Sequence, residues 1–478
     1  MTQKRRRNLF YLILIIAIST PLLLFATLRL SNGRPEEKTI VLKAVLGKQS
    51  MAVPLYGFNG NNTMGPSWSD KTFRDSAASL DFKIIRYPGG GVGEFWDWKK
   101  GWFVNDDVQN GIAVPENLKK IKFSPTGLNE LKLLVDETHC DVVFTLNMFS
   151  KDLSDQMEML KNAQSIGIPV KWIELGNEYN FLKSVGRQKY KSANGYGQAC
   201  REWITSLKTT FPGVKVAVIG GNKRFASDAV DWNDNVLNES RDADALVAHI
   251  YAHAPDVVDE NGINFKDLFS KFKDAFDSQG FDKTNKEIWI TEFNINWASG
   301  ENNDEKTVRK TFSDSWGQTL ATILMTSMCT DLPRKTPGMI LDHNIANGFS
   351  FAAIEIKPPI RVLPNGIGFK LWCDESNNKT LLRQINFSAT GSDDPKEFEV
   401  LGWEFKGEKS SDYMLVNFTS NPVDVNVSAL NNSPGGYYDL RYCDKNKMIT
   451  SWTDITRERK KVLNNVVSLP PYAIAIMK

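Results

Sequence analysis

Residues 170–178 read Val170-Lys171-Trp172-Ile173-Glu174-Leu175-Gly176-Asn177-Glu178. A short β-rich run that stops at a glycine reads as a buried strand, and the polar pair after Gly176 sits where the chain leaves it. The same grammar recurs in both directions. β-rich runs fall at 55–59, 82–87, 141–147, 170–175, 215–219, 243–251, 287–293 and 348–354. Amphipathic stretches at helical spacing lie between them, at 70–80, 126–138, 155–166, 196–210, 265–278 and 308–328. Ser69 and the pair Ser124-Pro125 precede two of these as start signals, and Gly167 and Gly213 follow two as stops. Eight strands alternating with helices over about 300 residues predict an α/β fold, a (β/α)8 TIM barrel, with an open doubly wound sheet as the rival.

The rhythm breaks at Lys357-Pro358-Pro359. Beyond it come short alternating runs at 381–387, 397–405, 413–418, 423–427, 437–443, 462–469 and 472–477, separated by turn residues and without a convincing helix. That pattern predicts a C-terminal all-β sandwich domain. The run 39–46 precedes the first barrel strand and is expected to join the same sandwich. The expected division is therefore a barrel over 54–358 and a sandwich built from 36–53 and 359–478.

Composition narrows the function classes. A hydrophobic content of 41% with 11% aromatics fits a packed core and excludes a disordered chain. The 58 Lys and Arg barely exceed the 56 Asp and Glu, and Lys4, Arg5, Arg6 and Arg7 alone carry more than the net +2. No basic surplus remains to track phosphates, so nucleic acid is not an expected partner. The 13 Trp supply flat faces on which sugar rings can stack, although Trp also fills ordinary cores.

That basic cluster opens residues 1–35, which read as a cytoplasmic tail followed by an apolar run over 9–28 broken only by Ser19, Thr20, Pro21 and Thr27. Twenty helical residues span about 30 Å, the thickness of a bilayer core. The exit Ala26-Thr27-Leu28-Arg29 is a poor cleavage site, which favours an uncleaved signal anchor over a cleaved signal peptide. Either way the protein is exported: membrane-anchored with its body outside the cytoplasm, or secreted or periplasmic if the segment is removed. Five cysteines are no disulfide framework; a Cys373–Cys443 bridge and buried free thiols are equally compatible with the sequence. Glycosylation sequons stand at Asn61, Asn238, Asn378, Asn386, Asn417, Asn426 and Asn431.

In a barrel of this kind the working residues lie at the carboxyl ends of strands. Those ends supply Arg86, Asn147, Asn177-Glu178, His249, Tyr251, Glu292 and Asn294. Glu178 and Glu292 follow strands four and seven, nearly opposite across the ring, so two long carboxylates can converge on its axis. Retaining glycoside hydrolysis uses such a pair about 5–5.5 Å apart, one as acid/base and one as nucleophile. Singly, either Glu can equally be structural, and Glu292 could simply pair with Arg86. Glu174 lies deeper on strand four and reads as the buried partner of a basic group.

Other chemistries are less well served. Pro88-Gly89-Gly90-Gly91-Val92-Gly93 lacks the Gly-Lys-Ser/Thr ending of a phosphate loop, and Glu94-Phe95-Trp96-Asp97-Trp98 after it suits a sugar better than a phosphate. His249 and His253 sit on a strand end and loop in a chain with four His, so neither a metal nor another cofactor is expected. There is no Gly-x-Ser-x-Gly elbow.

The segments Ile85-Arg86-Tyr87-Pro88-Gly89-Gly90, Glu174-Leu175-Gly176-Asn177-Glu178 and Trp289-Ile290-Thr291-Glu292 resemble motifs of the clan A retaining glycoside hydrolases. Within that clan the chain looks most like the α-L-arabinofuranosidase and heparanase-like (β-glucuronidase) families, which join a barrel to a β-sandwich. The resemblance implies Glu178 as acid/base, Glu292 as nucleophile, Asn177 as a ligand of the substrate 2-hydroxyl, and Tyr251 with Arg86 orienting Glu292. Asn147 and His249 are expected to line the same site, and Trp96, Trp98 and Trp297 are candidate sugar platforms. The expected substrate is an oligo- or polysaccharide. The alternatives are a non-catalytic carbohydrate-binding or adhesion protein on the same fold, or another enzyme class such as a transglycosylase or polysaccharide lyase.

Overall fold

The structure, a computed structural model, describes residues 39–478 apart from 105–107, 110–111, 122–123, 125, 222–228, 282–283, 298–302, 332–336, 347–351, 390–398 and 431–435. The expected anchor at 9–28 lies outside the described residues. Among those described, no helix is long and apolar enough to cross a membrane.

Eight parallel strands close into the expected barrel: β1 (Leu55–Asn59), β2 (Ile84–Tyr87), β3 (Asp141–Leu146), β4 (Trp172–Leu175), β5 (Lys215–Ile219), β6 (Ala245–His253), β7 (Glu287–Asn296) and β8 (Pro337–Asp342). Closure is made by β8 on β1, with Met339 opposite Leu55 and Asp342 opposite Phe58. The first seven strands lie on the runs that the sequence picks out. The eighth does not. It precedes the run at 348–354, where Ile354 makes only an isolated bridge to Val362. The true strand was hidden because it opens on Pro337-Gly338 and carries only Met339-Ile340-Leu341 as an apolar run.

The outer helices begin where short polar side chains satisfy free backbone N–H groups. Asp70, Asp152, Ser192 and Asn264 each accept from the first turn of the helix that follows. The first of these caps is Asp70 rather than Ser69. The second expected helix starts at Leu128 behind Gly127, and Pro125 lies outside the described residues. The single helix expected at 308–328 is two, Asn303–Ser313 and Trp316–Thr330. Tertiary hydrogen bonds cause the break: Trp316 and Gly317 donate their backbone N–H groups to the carbonyls of Lys447 and Lys445. Past Lys357-Pro358-Pro359, where the sequence suggests strands alone, Pro364–Ser376 forms another buried helix.

The β domain is one continuous nine-stranded sheet with Thr456–Lys461 at one edge and Val466–Leu469 at the other. Its apolar residues face two cores. In Ser411–Asn417, Tyr413 and Leu415 join a core inside the domain, whereas Met414 and Val416 join the barrel's core. Ala473–Met477 divides the same way, with Ala473, Ala475 and Met477 inward and Ile474 and Ile476 toward the barrel. A strand with side chains alternating between two cores is buried on both faces. The amino-terminal strand Ile40–Ala52 lies within this sheet, antiparallel to Leu381–Ala389 and parallel to Val423–Asn426. Thr456–Lys461 escaped notice because Thr-Arg-Glu-Arg-Lys-Lys carries no apolar alternation; it is a charged edge strand.

All five cysteines are buried free thiols, so Cys373 and Cys443 are not bridged. Asn417 is fully buried, with its amide donating to the carbonyls of Asn421 and Pro470, which closes that sequon to a glycan.

Trp403 marks the join between the two units. Its ring lies 5.7 Å from that of Trp372, and its indole N–H donates to Ser327 Oγ at 3.3 Å. Trp403→Ala is expected to cost about 3–5 kcal/mol of stability, the range for a buried Trp truncation, read from urea unfolding.

Candidate active site

Arg86, at the end of β2, is fully buried. A buried guanidinium is tolerable only when its donors are met by acceptors of opposite charge. Two of its nitrogens clasp Glu174 of β4, Nε to Oε2 at 2.8 Å and Nη2 to Oε1 at 2.6 Å. Nη2 also donates to Asn177 Oδ1 at 2.8 Å, and Nη1 donates to Glu292 Oε1 at 2.6 Å. The residue read as a deep ion-pair partner, Glu174, is bidentate on Arg86. One cation thereby ties the ends of β2, β4 and β7 together.

Glu292 is held from every side. Oε1 also accepts from Asn59 Nδ2 at 3.0 Å, and Oε2 accepts from the Tyr251 hydroxyl at 2.6 Å. The Nδ1 atoms of His249 and His343 each lie 3.6 Å from Oε2. Burial works to raise this carboxyl's pKa. The imidazoles of His249 and His343, the Arg86 guanidinium and the Tyr251 hydroxyl overturn that and hold it well below the usual carboxylate range. Burial, with Glu292 beside it, pushes the Tyr251 phenol well up, so it remains a donor.

A bulge aims these groups. Ala248 pairs with Ile290, but the next pair is His249 with Glu292, leaving Thr291 as the extra residue. Thr291 Oγ1 lies 3.1 Å from His249 Nε2, while His249 Nδ1 lies 2.9 Å from Glu178 Oε1. Burial lowers the His249 pKa, but Glu292 and Glu178 outweigh it and shift the ring above its ordinary value. Glu178 itself is reached through a sharp turn: Gly176 has φ 82° and Glu178 has φ 53°, both left-handed. Its side chain keeps 32% exposure, against 6% for Glu292.

One donor atom each from Glu178, His249 and Glu292 lies within 4.8 Å of the other two. Such a trio could hold a divalent ion, but three of the four lone-pair sites of Glu292 are already taken by Arg86, Asn59 and Tyr251. The arrangement instead suits two carboxylates in different states, one charged and enclosed, the other open to solvent.

Asn177 belongs to this group. Arg86 fixes its amide oxygen, and its Nδ2 has no hydrogen-bond partner among the described residues. Asn147 is spent elsewhere: its amide bonds the Trp96 carbonyl and Ser150 Oγ, and its oxygen accepts from the N–H groups of Phe149 and Ser150. Trp96 is buried beside Tyr87, Trp102 and Phe103. Trp98 is 9% exposed with the Lys99 ammonium 5.2 Å over its ring, and Trp297 is half-buried against Phe312. Trp96 and Trp98 are thus enclosed by packing, whereas Trp297 keeps part of its ring exposed.

Three contributors escaped the sequence reading. Asn59 ends β1 and could have been found by the strand-end rule. His343 follows β8, and misplacing that strand hid it. Glu94, on the short 3-10 turn Gly91–Phe95, carries no strand signal at all. Gly89 is equally specific: a Cβ there would lie 1.9 Å from Asn59 Oδ1.

Arg86→Met leaves Glu174 and Glu292 buried without their cation. The expected cost at pH 7 is about 3–5 kcal/mol in urea unfolding. The deficit should shrink as pH falls, because stranded buried carboxylates have raised pKa values and regain stability on taking up protons.

Comparison with known proteins bears on the fold and the catalytic core. The family model described as glycosyl hydrolase catalytic core matches residues 135–321. An intracellular exo-α-(1→5)-L-arabinofuranosidase of Acetivibrio thermocellus is 22% identical over 210 residues, 40% of this chain and 41% of that protein. The match thus spans about two fifths of that relative's length. The α-L-arabinofuranosidase from Thermotoga maritima, solved with arabinose, superposes with a TM-score of 0.65 at 16% identity, covering 91% of this chain and 99% of that one. A 4-O-α-L-rhamnosyl-β-D-glucuronidase from Fusarium oxysporum gives a TM-score of 0.59 at 11% identity, covering 92% and 100%. At such identities the structural likeness is one of fold. The chain thus carries a match to a glycosyl hydrolase catalytic core over residues 135–321, and its barrel-plus-β-domain fold is the one those solved glycosidases share.

Proposed function

We propose that the protein is a retaining glycosidase, with Glu292 as nucleophile and Glu178 as acid/base. The observation that carries the reading is the contrast between two carboxylates within 4.8 Å of each other: one enclosed and ionised, the other open to water and to a leaving group. Retention needs that spacing, because the nucleophile must reach the anomeric carbon directly. Glu292 attacks that carbon while Glu178 gives its proton to the departing oxygen. Glu178, now ionised, takes a proton from water, which attacks the same carbon and frees Glu292. Asn177 Nδ2 is the donor for the sugar hydroxyl beside the anomeric centre, a contact that tightens as charge develops.

The substrate to try first is an aryl α-L-arabinofuranoside, since arabinofuranosidases recur among the relatives in both sequence and fold. Glu292→Gln should lower kcat by about 10⁴-fold or more with an unchanged circular dichroism spectrum. Glu178→Ala with azide should yield a glycosyl azide of the substrate's anomeric configuration. An inverted product, or full activity in Glu292→Gln, overturns the assignment. Because the Glu292 pKa is held low, the acidic fall of kcat/KM due to its protonation should lie below the ordinary Glu value of about 4.3.

We also propose that residues 9–28 anchor the protein with its body outside the cytoplasm. Full-length protein should then resist alkaline extraction from membranes while its body is digested by protease added outside. A mature protein lacking those residues would show the segment to be a cleaved signal.

A further inference from the structure

Glu94 lies within the turn Gly91–Phe95 that follows β2, and it is 3% exposed. Oε1 accepts the backbone N–H of Asn177 at 3.1 Å, and Oε2 accepts the Tyr179 hydroxyl at 2.8 Å. These partners are the two neighbours of Glu178. We propose that Glu94 is a positioning residue: it clamps both flanks of Glu178 and so holds that side chain in register with Glu292. This rests on the reading of Glu178 as acid/base.

Glu178 needs such a restraint because its backbone is left-handed, a conformation unfavourable for a residue with a Cβ unless its surroundings impose it. The surroundings are built to do so. The Tyr179 ring is pinched between two glycines, where a Cβ at Gly176 would lie 2.6 Å from the ring and one at Gly186 only 1.8 Å. That grip fixes the ring, and the hydroxyl at its tip reaches Glu94. On the other flank, Asn177 is held twice, by Glu94 at its backbone and by Arg86 at its side chain. The turn carrying Glu178 is therefore secured through two carboxylate bonds and one guanidinium.

An ordinary structural ion pair does not account for Glu94. No Lys or Arg among the described residues forms a salt bridge with it, and the nearby Lys189 spends its ammonium on the carbonyls of Met148 and Phe149. Burial pushes the Glu94 carboxyl up to about 8. The neutral acid keeps both links, with its carbonyl oxygen accepting from Asn177 and its hydroxyl donating to Tyr179. A glutamine can do the same through its oxygen and its Nε2.

The test uses aryl α-L-arabinofuranosides with leaving groups from dinitrophenol to phenol, and reads kcat/KM for each. A displaced acid hurts phenol, which needs a proton, and spares dinitrophenol, which does not. Glu94→Ala should lose about 10–100-fold on the phenyl glycoside, the scale of an ångström-sized misplacement, and less than about threefold on the dinitrophenyl one. Glu94→Gln should restore most of that loss. Tyr179→Phe should steepen the series in the same sense, and it carries the test if Glu94→Ala fails to fold. Equal losses across the series, or none, overturn the proposal. Glu178→Ala on the same series is the control. If it leaves the slope unchanged, the acid/base reading falls; if it steepens the slope and neither Glu94→Ala nor Tyr179→Phe does, only the role of Glu94 falls.

Discussion

A guanidinium with no contact with water sits at the centre of this molecule, and the rest of the site is arranged to make that tolerable. Arg86 faces two carboxylates and an amide oxygen, and removing any one acceptor would leave a buried donor unmet. Because the cation has two anionic partners, the second is not fully neutralised by it. The remaining negative charge at Glu292 is shared with a phenol, an amide and imidazoles. A carboxylate so supported stays ionised without being locked into a single neutralising pair, which is the condition a nucleophile needs.

The barrel supplies the precision for this arrangement. Asn59, Arg86, Glu174 and Glu292 lie on paired strands of the closed barrel, so each side chain starts from a rigid base. Two departures from regularity shape the site. The Thr291 bulge brings His249 opposite Glu292, and the left-handed turn at Gly176–Glu178 carries Glu178 off the barrel wall. One departure serves the enclosed carboxylate and the other the open one.

Much of this was legible in the sequence, because strands buried by helices announce themselves and their ends follow by counting. Glu178, Glu292, Arg86, Asn177, His249 and Tyr251 were all accessible that way, and the structure brings them into one network. Position along a strand says less about what a side chain is already bound to. Asn147 ends β3 as expected, yet its amide holds a neighbouring loop together. Trp96, Trp98 and Trp297 were placed near the mouth by sequence, but packing decides whether a ring stays free, and packing is not local. His343 was lost with β8, whose pattern is three residues long. Glu94 depends on a turn meeting a distant turn, a contact that no spacing encodes.

The two-sided strands of the β domain have an evolutionary consequence. Domains that ride on glycosidases as exchangeable attachments meet their hosts through linkers and shed them without exposing oil. Here Met414, Val416, Trp403 and Ile476 of the β domain pack into the barrel's core, and the chain reaches the first barrel strand at Leu55 directly from Ile40–Ala52 of the β sheet. Neither unit can be traded between lineages without the other's interior being rebuilt. The pair should descend together as a single inherited body, and substitutions at the shared face should track one another across it.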